Sequence, residues 1–221
     1  FQYLVLAGKP GPRRLEQAQQ ALDAGENEKA LELAQSAEGA DGFTRLRVMA
    51  KAAARLGRLD TAEGFYRQAL ALREDAAVAG ELGLVLVAMR RYTEARPLLE
   101  ANLDDDRACG GLGLIALAEG RPDEAVELFK AALDRNFDNG AVVGHLLETA
   151  REVGRLEEAE PYVRRYVEFY PGNPELACRY ADLLRRLGRH AEARDRLETM
   201  LLLFPGHPDA AALLETLQGE V

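Results

Sequence analysis

Apolar residues in this chain follow the spacing of amphipathic helices, and the same pattern returns along its whole length. In residues 46–53 they stand at positions i, i+3, i+4 and i+7, which share one face of a helix. The same spacing starts again at Ala79, Cys109, Val143 and Ala177. A second apolar stripe follows each of these within a few turns. The pattern therefore predicts consecutive pairs of helices.

A short polar signal separates the two helices of each predicted pair. In Gly57-Arg58-Leu59-Asp60-Thr61-Ala62 a glycine suited to ending one helix precedes a polar turn and the alanine of the next. Five of the six copies carry the glycine, and the sixth has Arg90 instead. The alanines recur every 30 to 34 residues, at Ala30, Ala62, Ala95, Ala125, Ala159 and Ala193. A period of this length indicates a repeat array whose units bury their apolar faces against one another.

These units resemble the tetratricopeptide repeat family. Ala159, Tyr166 and Pro171 match the small, aromatic and proline positions of that family. The chain departs from the family pattern in having no tryptophan, and in placing Asn102 where a small residue is expected. The resemblance extends over roughly residues 13–219.

The resemblance implies an all-α fold, a right-handed α-solenoid of helix-turn-helix repeats. We expect residues 1–12 to form an extended N-terminal segment, the end of an upstream region, and residues 13–221 to form the array. The expected units are about 13–38, 43–72, 75–103, 106–135, 138–170 and 174–204, with a capping helix at 207–219. The short step between Ala95 and Ala125 predicts the loss of about one helical turn near residues 103–106.

In such a solenoid, as the resemblance implies, the first helix of each pair lines the concave face. Residues 10, 6 and 3 positions before each turn glycine share one side of that helix. They give a candidate partner-binding groove of Arg47, Lys51, Gly80, Leu84, Val87, Gly110, Leu114, Leu117, Gly144, Glu148, Arg151, Cys178, Asp182 and Arg185. The groove is predicted to be basic at its start, apolar in its two central units and of mixed charge at its end.

Two features of this groove have alternative interpretations. Gly80, Gly110 and Gly144 occupy one structural slot, which indicates either close approach of a ligand to the backbone or sequence drift. The central aliphatic residues are open to a partner or are covered by the chain's own apolar segment, residues 1–6.

Composition and charge exclude several classes of function. The net charge of −9 argues against nucleic acid as the partner, because phosphate contacts need a basic face. The sequence has no apolar run near the length of about 20 residues that a membrane span needs. Its two cysteines and three histidines are scattered, so we predict no metal site, no cofactor and no catalytic residues. Arginine supplies most of the 28 basic residues, which suggests a bacterial source.

The predicted function is that of a protein–protein interaction module or scaffold, which binds a peptide or helix of a protein partner in its groove and has no catalysis of its own. The alternative is an accessory or regulatory domain of a larger bacterial enzyme, for example a glycosyltransferase, or of a secretion or envelope-assembly protein. The expected location is the cytoplasm, with the periplasm as the alternative. The sequence predicts neither the partner's identity nor the oligomeric state.

Overall fold

The computed structural model describes residues 10–219, and these residues are helical apart from short turns. Thirteen α-helices lie within this range. They are α1 Pro10–Asp23, α2 Asn27–Gln35, α3 Gly42–Arg55, α4 Leu59–Leu72, α5 Ala76–Ala88, α6 Tyr92–Glu100, α7 Asp106–Ala118, α8 Pro122–Arg135, α9 Gly140–Val153, α10 Leu156–Phe169, α11 Pro174–Arg186, α12 His190–Leu203 and α13 Pro208–Gly219.

The helices form two compact units, which divide between Ile115 and Ala116 within α7. In the first unit each helix from α1 to α6 contacts the next along the chain, and α1 also contacts α3. In the second unit the same holds from α8 to α13, with further contacts from α8 to α10 and from α11 to α13. Each unit is therefore a stack of helix pairs, as the periodic pattern predicts.

The alanines of the repeat signal lie at the centre of this packing. Ala30, Ala62 and Ala95 in the first unit are fully buried. Ala125 and Ala159 in the second unit are equally buried. A side chain this small lets neighbouring helix backbones approach closely, and larger residues such as Phe129 in the second unit fill the space between layers.

The turn glycines end the first helices through the left-handed conformation. Gly57 has φ +72° and Gly154 has φ +74°, a region that residues with a Cβ rarely adopt. Arg90 takes the same conformation, with φ +59°, where the repeat signal lacks its glycine. The turn geometry is thus preserved at Arg90 in spite of the residue.

The short repeat step comes from a shortened second helix. Helix α6 has 9 residues, whereas α4 has 14. It ends at Glu100, and the residues between Glu100 and Asp106 form the turn that leads into α7. The helical turn that this repeat lacks is therefore missing from the end of α6, just before the predicted position at residues 103–106.

The first helix begins earlier than the sequence predicts. Helix α1 starts at Pro10, so residues 10–12 are helical and the expected extended segment 1–12 is wrong at its end. Proline is tolerated in a first helical turn, where the backbone N–H groups have no partner within the helix. Residues 1–9 lie outside the described residues. The expectation that residues 1–6 cover the groove therefore falls on a part of the chain that is not described.

Candidate functional site

In the first unit, one side of α3, of α5 and of the start of α7 is left half-buried by the packing. Lys51 and Leu84 lie on this side, as the spacing predicts, and so do Val87 and Leu114. Arg47 is half-buried as well. These five side chains are here called the first-helix face. The two glycines that the sequence places beside them, Gly80 and Gly110, are buried instead.

Part of the first-helix face borders a cavity of about 270 Å³. Leu84 and Val85 supply apolar wall, and Lys51, Arg55 and Arg107 supply positive charge. Glu81 is the one acidic residue that lines this cavity. In a chain of net charge −9, the cavity is therefore locally basic with an apolar wall.

The Glu81 carboxylate joins two neighbouring first helices. Arg47 on α3 donates to it from Nη2 at 2.8 Å and from Nε at 3.2 Å, and Lys51 Nζ lies 2.9 Å from Oε1. The Glu81 side chain is only 3% exposed. Burial alone would raise the pKa of Glu81, but the hydrogen bonds from Arg47 and Lys51 outweigh burial and hold the pKa below its usual 4.5. The carboxylate thus fixes both cations at the edge of the cavity.

Sequence reasoning missed Glu81, Tyr66 and Arg107 as residues of this site. Tyr66 on α4 is buried, yet it also lines the cavity. Burial raises the pKa of the Tyr66 hydroxyl, and the Glu81 carboxylate raises it further. One signal was available: Glu81 is the single charged residue in the apolar sequence of α5. An isolated charge in a buried helix needs partners, and these lie on α3, the first helix of the preceding pair.

The glycine slot has an explanation within the chain itself. A Cβ at Gly80 would lie 3.3 Å from Cγ of Asn102, so an asparagine of the protein approaches the backbone closely there. Asn102 is the residue that replaces the expected small side chain, and its Nδ2 donates to the Leu98 carbonyl oxygen at 2.8 Å. A Cβ at Gly144, in the second unit, would meet only Arg179 at an ordinary 3.7 Å. The close neighbour of the Gly80 backbone is therefore Asn102.

The second unit holds the remaining candidate residues. Leu117, Gly144, Glu148, Asp182 and Arg185 are half-buried, and Arg151 is exposed. A cavity of about 390 Å³ brings together four of the predicted residues, namely Glu148, Arg151, Cys178 and Asp182. Leu147, Leu183 and Leu213 give this cavity apolar wall, the last of them from the capping helix α13.

Most of the charges around this second cavity are paired with one another. Glu148 forms ion pairs with Arg151 on its own helix and with Arg179 on α11. Asp182 accepts from Arg186 Nε at 2.7 Å and from Arg185 Nη2 at 2.9 Å. Burial alone would raise the pKa of Asp182, and these two arginines lower it below its usual value. The rim of the cavity is thus charged but nearly neutral in sum.

Cys178 lines the second cavity but is buried, which corrects its assignment to an open groove. Its Sγ lies 3.6 Å from Met200 Sδ and 3.8 Å from His207 Nδ1, so residues from α12 and from the turn before α13 cover it. Burial raises the pKa of the Cys178 thiol, and the Asp209 carboxylate raises it further. Cys109 in the first unit is buried too, in agreement with its predicted place in the packing.

Within residues 10–219, no group of three or more His, Cys, Asp or Glu side chains is arranged to hold a metal ion. No helix there combines the length and the apolar character that crossing a membrane requires.

Comparison with known proteins agrees with this architecture. Models of the tetratricopeptide repeat match residues 46–77, 81–141, 116–177 and 150–217, which together make up most of the chain. No curated protein matches the chain significantly in sequence.

Several solved structures share the fold at low sequence identity. PilF of Pseudomonas aeruginosa is 20% identical with a TM-score of 0.70, over 96% of this chain and 98% of PilF. PilW, a widely conserved type IV pilus biogenesis factor, is 18% identical with a TM-score of 0.72, over 94% of this chain and all of PilW.

A chain of the APC/C hetero-tetramer Cut9–Hcn1 is 16% identical with a TM-score of 0.72. The match covers 96% of this chain but 43% of that one, so the protein described here spans less than half of its length. The expected all-α helical-repeat fold is confirmed by these neighbours and by the helix pairs of both units. The protein is a helical-repeat scaffold of the protein-interaction type, and the chain belongs to the tetratricopeptide repeat family.

Proposed function

We propose that the protein is an interaction scaffold whose first-helix face binds a peptide segment of a protein partner, without catalysis of its own. The observation that carries this proposal is the cavity of the first unit, where half-buried Leu84 lies beside Lys51 and Arg55. Half-buried aliphatic side chains gain from further burial at about 25 cal/mol per Å² of apolar surface. The face therefore has both an apolar anchor point and charge to orient a ligand.

The charges of this cavity favour a partner of a particular chemistry. Lys51, Arg55 and Arg107 outnumber the one lining carboxylate, and Glu81 is itself covered by Arg47 and Lys51. Arg107 is ion-paired with Asp105 at 2.7 Å, so Arg55 is the cation lining this cavity that pairs with no carboxylate of the described residues. A segment that carries an apolar residue next to an Asp or Glu matches this arrangement. Such a segment fits the groove-binding mode in which apolar anchors give affinity and charge gives register and selectivity.

The second unit offers a different surface, with an apolar wall and paired charges at its rim. Glu148, Arg151 and Asp182 are the predicted groove residues that remain accessible there. Their near-neutral sum gives less electrostatic preference for an acidic segment than the first unit has. We therefore assign the acidic-apolar segment to the first unit.

The test selects ligands from a phage-displayed library of random peptides on the full chain and measures the binding of recovered peptides by fluorescence polarisation. Selected peptides should be enriched in Asp or Glu next to an apolar residue. Leu84→Glu and Lys51→Glu should each weaken binding by about ten-fold or more, as expected for an anchor residue. Leu72→Glu is the matched control, because Leu72 is 62% exposed and lies away from the cavity.

Circular dichroism spectra that match the wild type would show that both variants remain helical. Equal binding by Leu84→Glu, Lys51→Glu and Leu72→Glu in such helical variants would contradict the proposed face. Enrichment of basic peptides would contradict the proposed preference for acidic segments. The Leu84→Glu measurement would then still test Leu84 as the apolar anchor.

The alternative function, an accessory or regulatory domain of a larger bacterial enzyme or of a secretion or envelope-assembly protein, is tested separately. The likeness to PilW and PilF at 18% and 20% identity is one of fold. Sequencing the gene upstream of Phe1 decides this point, because a catalytic domain in frame would support the alternative. Fractionation of the source cells would at the same time distinguish the cytoplasm from the periplasm.

A further inference from the structure

Three side chains with soft or borderline ligand atoms meet in the second unit, where α12 leads into the capping helix α13. Cys178 comes from α11, Met200 from the last turn of α12, and His207 from the turn before Pro208. The chain has only 2 cysteines, 3 methionines and 3 histidines among 221 residues, and one of each converges at this point. Helix packing alone does not require a cysteine, a methionine and a histidine at one point.

The two separations from Cys178 Sγ match those between ligands of a single small ion. Cys178 Sγ lies 3.6 Å from Met200 Sδ and 3.8 Å from His207 Nδ1. An ion about 2.3 Å from each sulfur and about 2.1 Å from the nitrogen would subtend angles of about 103° and about 119° at these separations. The first angle lies a little below the tetrahedral value and the second is close to the trigonal value, so little movement of the side chains is needed.

The surroundings hold the three ligand atoms in place. Cys178 is 8% exposed and Met200 is 4% exposed, whereas His207 is half-buried. The His207 backbone is fixed on both sides, since its N–H donates to the Phe204 carbonyl oxygen and its own carbonyl accepts from Ala211. Cys178 also lines the cavity of the second unit, which gives a small ion a route from solvent.

We propose that Cys178, Met200 and His207 form a binding site for a soft monovalent metal ion of the Cu(I) class. Thiolate and thioether sulfur select soft ions, and imidazole nitrogen is compatible with copper. On binding, the Cys178 S–H bond breaks, its proton leaves to solvent and a metal–sulfur bond forms, with no change of oxidation state. A monovalent ion and one thiolate leave no net charge in this buried place, which avoids the cost of an uncompensated buried ion.

The site would also link three elements of the second unit. An ion held by Cys178, Met200 and His207 ties α11 and α12 to the start of α13, so it would stabilise the capping helix against fraying. The site does not depend on the proposed peptide-binding face, which lies in the first unit.

The test delivers Cu(I) as its acetonitrile complex to the full chain without oxygen, in competition with bicinchoninate. We expect one Cu(I) per chain, and none retained by Cys178→Ala. Cys109→Ala is the matched control and should retain the ion, because the Cys109 thiol donates to the Leu103 carbonyl oxygen at 3.2 Å in the other unit. Loss of Cu(I) from Cys109→Ala, or no retention by the wild type, would overturn the proposal.

Two conservative variants separate a three-ligand site from a simple thiol adduct. Met200→Leu keeps the side-chain volume, and His207→Gln alters a half-buried position. Each should weaken Cu(I) binding by more than the roughly 10- to 100-fold that loss of an outer-shell partner costs. Unchanged affinity in both variants would overturn the site, and tighter binding of Zn²⁺ than of Cu(I) would overturn its assignment to a soft monovalent ion.

Discussion

Arg90 holds a left-handed backbone conformation that five equivalent positions give to glycine. Its φ is +59°, against +72° at Gly57, and the surrounding hydrogen bonds are the same. Arg90 N donates to Val87 O at 2.9 Å and Arg91 N to Leu86 O at 2.8 Å, as in the turn around Gly57. The chain therefore keeps a regular helix-ending turn with a residue that is poorly suited to it. We predict that Arg90→Gly stabilises the protein.

The magnitude follows from two opposing terms. A residue with a Cβ loses about 1–2 kcal/mol in the left-handed region. Glycine costs about 0.4–1 kcal/mol through the greater freedom of its unfolded chain. The expected net gain for Arg90→Gly is therefore about 1 kcal/mol, or about 2–4 °C in Tm for a chain of this size.

Urea unfolding followed by far-UV circular dichroism measures this gain. Arg90→Ala serves as the control, because it removes the guanidinium but keeps the Cβ, and it should give no comparable stabilisation. Gly57→Ala should cost about 1 kcal/mol from conformation alone, since a Cβ there meets nothing within 4 Å. Equal stability of the glycine and alanine variants at position 90 would refute the reasoning.

Three further changes test the packing and the charges. Ala125→Glu should abolish cooperative unfolding of the second unit, because it places a charge at a position with 0% exposure. A thermal unfolding curve that lacks the wild-type transition would show this loss. Gly80→Ala should raise the free energy of unfolding in urea by about 0.5–1 kcal/mol only when it is combined with Asn102→Ala. Otherwise the added Cβ lies 3.3 Å from the asparagine side chain. Equal effects of Gly80→Ala with and without Asn102→Ala would show that the two residues are not coupled. Glu81→Gln should cost about 1–2 kcal/mol at pH 7. Because the pKa of Glu81 is lowered in the folded state, the stabilisation that its carboxylate gives the protein is complete above about pH 5 and is lost as the pH falls. Plots of unfolding free energy against pH for Glu81→Gln and the wild type should therefore converge in acid. Parallel plots would contradict the role of the Glu81 charge.

The sequence predicts the repeat architecture because the relevant signals are local. Ala125 and Gly154 report a packed helix and its end within a few residues of themselves. Half-burial of Leu84 and Leu114 also follows from helical spacing, since it depends only on which side of one helix faces the neighbouring pair.

Helical spacing along the sequence does not predict features that depend on contacts between helices. Gly80 on α5 packs against Asn102 in the turn after α6, and neither residue alone indicates that the other compensates for it. Glu81 lies one position from a predicted groove residue, yet it is buried by Arg47 from the preceding repeat. Cys178 is likewise covered by residues more than 20 positions away, so its burial is a property of the stacked unit.

The most direct test of the first-helix face is a methyl NMR titration of the full chain with a peptide recovered from the selection. We predict that the methyl resonances of Leu84, Val87 and Leu114 shift most, while those of exposed Leu72 and Leu103 stay in place. Shifts confined to Leu72 and Leu103, with the three face residues unchanged, would show that the first-helix face does not bind the peptide.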